Sequence, residues 1–146
     1  MDAESHRMEA ESRLTRLRAM LEARGCDGYF SDAAPQNQYL TGFRGSTSIV
    51  LVTQREAVFL CDSRYTEQAQ SQVAAYEVQE AEGSMTKAAG ELLRRLGVRY
   101  VVLHRPLFAV DGIARCAPRA ARAIRAAGFR RLMSDADIVL YTRSGA

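Results

Sequence analysis

A chain of 146 residues with 47% hydrophobic and 25% charged content has the length and composition of one domain with its own core, which excludes a disordered polymer. No apolar run approaches the ~20 residues of a membrane-spanning helix, and Met1 to Ser12 (MDAESHRMEAES) lacks the hydrophobic stretch of a secretory signal. A cytoplasmic location without a membrane partner is therefore expected. The net charge of +3 does not by itself mark a nucleic-acid binder, which needs basic residues gathered on one face.

Met8 to Arg24 reads as a helix with Leu14, Leu17 and Leu21 on one face, ended by Gly25. Asp27 to Ser31 follows as a short strand. Ala34 to Thr41 is expected to be a polar connection with one helical turn after Pro35. Ser48 to Thr53 and Ala57 to Cys61 are apolar runs separated by Gln54-Arg55-Glu56, the pattern of a hairpin. Neither run alternates strictly, so both of its faces should be covered. Asp62 is placed to cap a helix from Ser63 to Val73, with Tyr65, Ala69 and Val73 inward. Tyr76 to Ala81 alternates with polar residues, as an edge strand does.

Ser84 is expected to cap the next helix, which turns Ala88, Ala89, Leu92, Leu93 and Leu96 inward and stops at Gly97. Arg99 to His104 is a buried strand by its β-branched content. Leu107 to Ala127 has helical spacing broken by Pro118. Gly128 ends that segment, Phe129 to Met133 is a last strand, and Ser134 to Ala146 should close as a short turn or helix. Three helix–glycine–strand junctions, at Gly25, Gly97 and Gly128, together with one hairpin, give an α/β fold with a mixed sheet flanked by helices. Residues 1–146 are expected to form a single domain with a core over about 8–142.

Chemistry is sparse. No glycine-rich phosphate loop and no serine nucleophile elbow occurs. His6 falls in a stretch expected to fray, and His104 stands alone at a strand end. Cys26, Cys61 and Cys116 lack metal-site spacing and read as reduced, mostly packed thiols. Arg115, Arg119, Arg122 and Arg125 share a helix face. That stripe fits either a solvated surface or contact with an anion or RNA; the absence of interleaved aromatics favours the first, so no nucleic-acid partner is expected. In CDSRYTEQA, Asp62, Arg64 and Tyr65 straddle a strand-to-helix turn, and a structural role accounts for all three.

Two segments carry a family resemblance. PQNQYLTGFRGS, with Asn37, Tyr39 and Gly42, resembles the YLTGF-x-GS stretch in the amino-terminal domain of creatinase, prolidase and aminopeptidase P (Xaa-Pro peptidase) proteins. CDSRYTEQA is similar to the TD-x-RY-x-x-QA stretch that follows it there, with Asp62, Arg64 and Tyr65 in matching places. Cys61 replaces the usual threonine and Gln38 a common apolar residue. The resemblance implies a ribonuclease-H-like mixed sheet in a domain without catalytic residues or cofactor. It further implies that catalysis resides in a carboxyl-terminal pita-bread domain, absent from this chain, which binds two divalent metals, usually manganese, zinc or cobalt. Self-association into dimers or larger assemblies is also implied, with short Xaa-Pro peptides as substrates of the full-length protein. Two other readings stay open: a domain of a creatinase-like amidinohydrolase, and a stand-alone module for an anion or RNA.

The resemblance also frames Phe43 and Arg44, between Gly42 and Gly45. In family members this loop leans toward an active site, which makes Phe43 and Arg44 candidates for substrate binding. The competing reading is local, with Phe43 in the core and Arg44 paired to Asp32 or Asp62.

Overall fold

The computed structural model describes residues 2–98, 100–104, 122, 124–134 and 138–143, with side chains left aside at 100–104, 133, 138–140 and 143. The chain divides into two compact units, Met1–Ala81 and Glu82–Ala146. In the first unit the order is α1 (Ala3–Ala23), β1 (Gly28–Ser31), α2 (Ala34–Thr41), β2 (Ile49–Thr53), β3 (Ala57–Cys61), α3 (Thr66–Gln72) and β4 (Glu77–Glu80). The second holds α4 (Met85–Arg95), β5 (Tyr100–His104), β6 (Phe129–Ser134) and β7 (Ile138–Arg143).

The four strands of the first unit form one mixed sheet in the order β1-β2-β3-β4. β1 and β3 run antiparallel to β2, and β4 runs parallel to β3 with Val58 opposite Glu77 and Cys61 opposite Glu80. The mixed α/β fold expected from the sequence is therefore present. Ile49–Val52 and Val58–Cys61 are buried throughout, as their unbroken apolar runs require. Thr53 closes the hairpin: its hydroxyl accepts from the backbone N–H of Arg55 (3.3 Å) and of Glu56 (3.0 Å). Because β2 and β3 are interior strands, the hairpin presents no unpaired edge. β4 is an edge strand as expected, and exposed Glu77 and Glu80 guard it with carboxylates.

Helix α1 docks on this sheet through Leu14 and Leu21, with Leu17 partly buried beside them. Two reciprocal bonds fix its position over the hairpin turn. Arg18 Nε donates to the Thr53 carbonyl (2.9 Å), and Gln54 Nε2 donates to the Arg18 carbonyl (2.8 Å).

Four expectations need correction here. Helix α1 begins at Ala3, five residues earlier than its apolar spacing suggests, because Asp2 caps it by accepting from the Ser5 N–H (2.8 Å). His6 is consequently inside a helix and does not fray. Residues 34–41 form a complete helix, since Pro35 opens it and Gly42, at φ +83°, closes it. Helix α3 starts only at Thr66, because the Asp62 side chain bonds Arg64 and does not cap. Ile138–Arg143 is a strand, not a turn or helix: the run IVLYT forms the middle of a second, antiparallel sheet ordered β5-β7-β6.

In the second unit Ser84 caps α4, accepting from the Lys87 N–H (3.4 Å), and Ala89, Leu92 and Leu93 are buried. Gly90 faces Ala127 closely enough that a Cβ there would stand 3.1 Å from the Ala127 Cα. Arg122 and Arg125 of the basic stripe are exposed, whereas Arg115, Arg119 and Pro118 lie outside the described residues, as does Cys116. Cys61 is buried, with its thiol pushed up by burial, but Cys26 is exposed; the packed-thiol expectation fails there because Cys26 follows the helix end at Gly25 and precedes the sheet. No helix among the described residues is long and apolar enough to cross a membrane.

Tyr76, at the entry to β4, is 8% exposed, and its hydroxyl has no hydrogen-bond partner among the described residues. Burial pushes its phenol up to about 12, opposed by the positive charge of Arg18 and reinforced by Tyr29. The unfolded chain, with an ordinary tyrosine pKa near ~10, loses this proton first. Stability should therefore be fully present below about pH 10 and fall as pH climbs toward the folded value. Tyr76→Phe removes both the unpaired hydroxyl, a burden of about 1–3 kcal/mol, and this alkaline sensitivity. Urea unfolding should find the variant at least as stable at pH 7 and less sensitive above pH 10; a clear loss of stability at pH 7 would refute the assignment.

Candidate functional site

The segment from Asn37 to Ser46 is built outward from one buried amide. Asn37 is fully buried, and its Nδ2 donates to Ser48 Oγ (2.9 Å), to the Ser48 carbonyl (3.1 Å) and to the Ser31 carbonyl (3.4 Å). It bolts α2 to the end of β1 and to the approach to β2. One turn later Thr41, also fully buried, donates its hydroxyl to the Asn37 carbonyl (2.6 Å) and accepts from the Phe43 N–H (3.2 Å). A buried polar pair at i and i+4 thus hands the chain from helix to loop with its backbone groups satisfied.

Phe43 then enters the core. It is 1% exposed, edge-on to Phe59 at 4.8 Å between centroids and to Tyr65 at 5.7 Å. Its ring covers Gly45 so closely that a Cβ at Gly45 would collide with it, and a Cβ at Gly42 would collide with the His6 ring. Glycine is required at 42 by both the left-handed φ and the close approach, and at 45 by close approach alone. Of the two readings of Phe43, its position matches the local one, with the ring in the core.

Arg44 behaves differently. Its side chain is exposed, and among the described residues the guanidinium has neither ion pair nor hydrogen bond. Of the suggested partners, Asp62 is taken by Arg64. The Arg44 backbone is nonetheless held, its N–H donating to Gln72 Oε1 (3.0 Å). Ser46 and Tyr65 close the loop on its far side through their hydroxyls (3.0 Å). Gln72 is a residue that sequence reasoning missed, because a polar position at the end of an amphipathic helix carries no signal of a tertiary bond.

The remaining motif residues have structural tasks. Asp62 Oδ1 accepts from the Arg64 N–H (3.0 Å) and Nε (3.2 Å), and Oδ2 accepts from Nη2 (2.8 Å). This bidentate fork folds the strand-to-helix turn on itself. The Arg64 side-chain bonds hold the Asp62 carboxyl below the usual carboxylate range. The pair's contribution is present above the ordinary aspartate pKa and is lost as pH falls through the lowered folded value. It stays small, since the Arg64 side chain is 72% exposed and screened by water. The Arg64 guanidinium also lies 5.5 Å from the Tyr65 ring centroid. Tyr39, 53% exposed, lies under the Arg13 guanidinium at 4.2 Å, and its carbonyl accepts from Arg13 Nη1 (2.6 Å). That contact ties α2 to α1.

The chain is similar to several known proteins. The family model described as Creatinase/Prolidase N-terminal domain matches residues 13–105. The uncharacterized peptidase YqhT of Bacillus subtilis is 32% identical over 87 residues, which are 60% of this chain and 25% of YqhT, so the chain spans about a quarter of that relative. Among solved structures, the Xaa-Pro dipeptidase from Bacillus anthracis is similar at 25% identity and a TM-score of 0.63, over 77% of this chain and 31% of that one. The N-terminal domain of the cytoplasmic peptidase PepQ from Mycobacterium tuberculosis H37Rv is similar at 30% identity and a TM-score of 0.56, over 73% of this chain and 84% of that one. The matched span contains both the Asn37–Ser46 loop and the Asp62–Tyr65 turn, and on that ground the chain belongs to the Creatinase/Prolidase N-terminal domain family.

Proposed function

We propose that this chain is the non-catalytic amino-terminal domain of a metal-dependent Xaa-Pro aminopeptidase or dipeptidase. In this reading residues 1–146 act as one domain that shapes the active-site entrance and takes part in a dimer or larger assembly in the cytoplasm. The peptidase names of YqhT, the Bacillus anthracis dipeptidase and PepQ support it. Hydrolysis and its two divalent metals (manganese, zinc or cobalt) belong to a separate pita-bread domain. Among the described residues no three His, Cys, Asp or Glu side chains gather to hold a metal ion, so they do not fit that ligand set and no chemical step is assigned to them.

The observation that carries the reading is Arg44: an exposed guanidinium, unpaired among the described residues, on a loop whose backbone is pinned. A guanidinium presents a planar fork to a carboxylate, which suits the carboxyl end of a short peptide. A backbone already held in place lowers the ordering cost of that contact. Phe43 contributes from behind, as the loop's anchor.

Arg44→Ala in the protein joined to its catalytic domain tests this. Loss of one charge-assisted contact, about 1.5–3 kcal/mol, should lower kcat/KM for short Xaa-Pro peptides by about 10- to 150-fold. The melting temperature should stay put, since among the described residues the exposed side chain makes no ion pair or hydrogen bond. Unchanged kinetics, or a large fall in melting temperature, would contradict the reading.

A further inference from the structure

The Arg44 loop is held from a second direction, by residues outside both family motifs. His6, on the second turn of α1, has Nε2 3.1 Å from the Gln72 carbonyl oxygen at the end of α3. A carbonyl can only accept, so Nε2 carries the proton in this bond. The same imidazole lies against Gly42, where it fills the space a Cβ would occupy. Gln72 receives His6 on its backbone and holds Arg44 with its side chain, Oε1 accepting from the Arg44 N–H (3.0 Å) and from Gln68 Nε2 (3.2 Å). The stretch after Gln72 is tied to the start of the loop as well, the Ala74 N–H donating to the Thr41 carbonyl (3.3 Å). Three segments distant in sequence, at residues 6, 41–44 and 72–74, thus meet at the base of Arg44.

We propose that His6 and Gln72 are positioning residues, a two-part clamp that sets the backbone at Gly42–Arg44 and so the direction in which the Arg44 guanidinium leaves the surface. The functional consequence rests on the reading that Arg44 meets the substrate; the clamp itself does not. Core burial of Phe43 fixes one side of the loop, the Ser46–Tyr65 hydroxyl contact closes it beyond Gly45, and the clamp holds the backbone at Gly42–Arg44. Gln72 Oε1 is already oriented by Gln68, so it can receive the Arg44 amide without reorganising. The imidazole contributes twice, by its N–H and by its face. His6→Phe separates the two, because it keeps a ring against Gly42 and deletes the donor.

Amide hydrogen exchange on the 146-residue chain reads the clamp directly. Gln72→Ala should speed exchange at the Arg44 N–H by roughly 2- to 10-fold, the range that losing one net hydrogen bond gives, while Phe59 and Val50 in the sheet keep their protection. Gln72→Glu, which retains an acceptor at the same place, should restore slow exchange. His6→Phe should loosen Arg44 less than His6→Ala does. In the protein joined to its catalytic domain, Gln72→Ala should then raise KM for short peptides with little change in kcat, and Gln72→Glu should recover it. Unaltered exchange at Arg44 in both Gln72→Ala and His6→Ala would overturn the clamp, whatever the kinetics. Faster exchange in those variants, combined with kinetics insensitive to Arg44→Ala, would uphold the clamp and remove the substrate reading instead.

Discussion

The edge-to-face packing of Phe43 on Phe59 and Tyr65 is the contact on which the rest of this region depends. A ring that is 1% exposed gains both area burial and the aromatic pair term, and deleting such a ring generally costs about 3–5 kcal/mol. To reach that position the chain must turn sharply after α2, which requires the left-handed Gly42. The ring must also fold back over the backbone, which only a glycine at 45 allows. The buried Thr41 follows from the same demand, since its hydroxyl satisfies the Asn37 carbonyl and the Phe43 N–H at a helix end driven into an apolar core, while the Asn37 amide ties that helix to Ser31 and Ser48. The YLTGF-x-GS pattern is thus one physical unit: a helix end with a buried polar residue, a turn, an anchor ring and the space the ring needs.

The unit divides two tasks between adjacent residues. Phe43 spends its side chain on the core, and Arg44, one residue on, cannot follow it inward and projects into water. An anchor and a probe side by side is an economical way to present a charge, because the energy that fixes the backbone comes from a neighbour and not from the charge itself. The Asp62–Arg64 fork keeps the competing carboxylate occupied. Asp62 is held by Arg64 on both oxygens, and Arg44 has no ion pair among the described residues.

Most of the sheet was legible because its physics is local. Val50, Val52, Val58 and Phe59 announce buried strands by composition, and Gly25, Gly97 and Gly128 end helices as their positions suggest. What escaped were elements whose stabilising contacts are distant in sequence. Helix α2 hid because its buried face is polar at Asn37 and Thr41; Pro35 and Gly42 were the available signal. His6 carries no local signal of order, because its partners lie at 42 and 72. Strand β7 is masked in the sequence by the SDAD that precedes it, although IVLYT has the composition of a central strand. Phe43 looked like a presented residue because it sits between two glycines. Those glycines make room for packing, and nothing in the local pattern distinguishes room for packing from freedom to move.

The claim that Phe43 governs the loop is tested most directly by a double-mutant cycle between Phe43→Leu and Gly45→Ala, followed by urea unfolding. Gly45 is not left-handed, so an alanine there conflicts with the ring and with little else. The effect of Gly→Ala on the unfolded chain is the same in both backgrounds and cancels in the cycle. With Phe43 present, Gly45→Ala should cost about 1–3 kcal/mol, as overpacking does. With leucine at 43, the penalty should drop to roughly 0.5 kcal/mol or less, within the range of additive error. Equal penalties in the two backgrounds would mean that the ring does not dictate the residue at 45, and that the loop owes its shape to something other than Phe43.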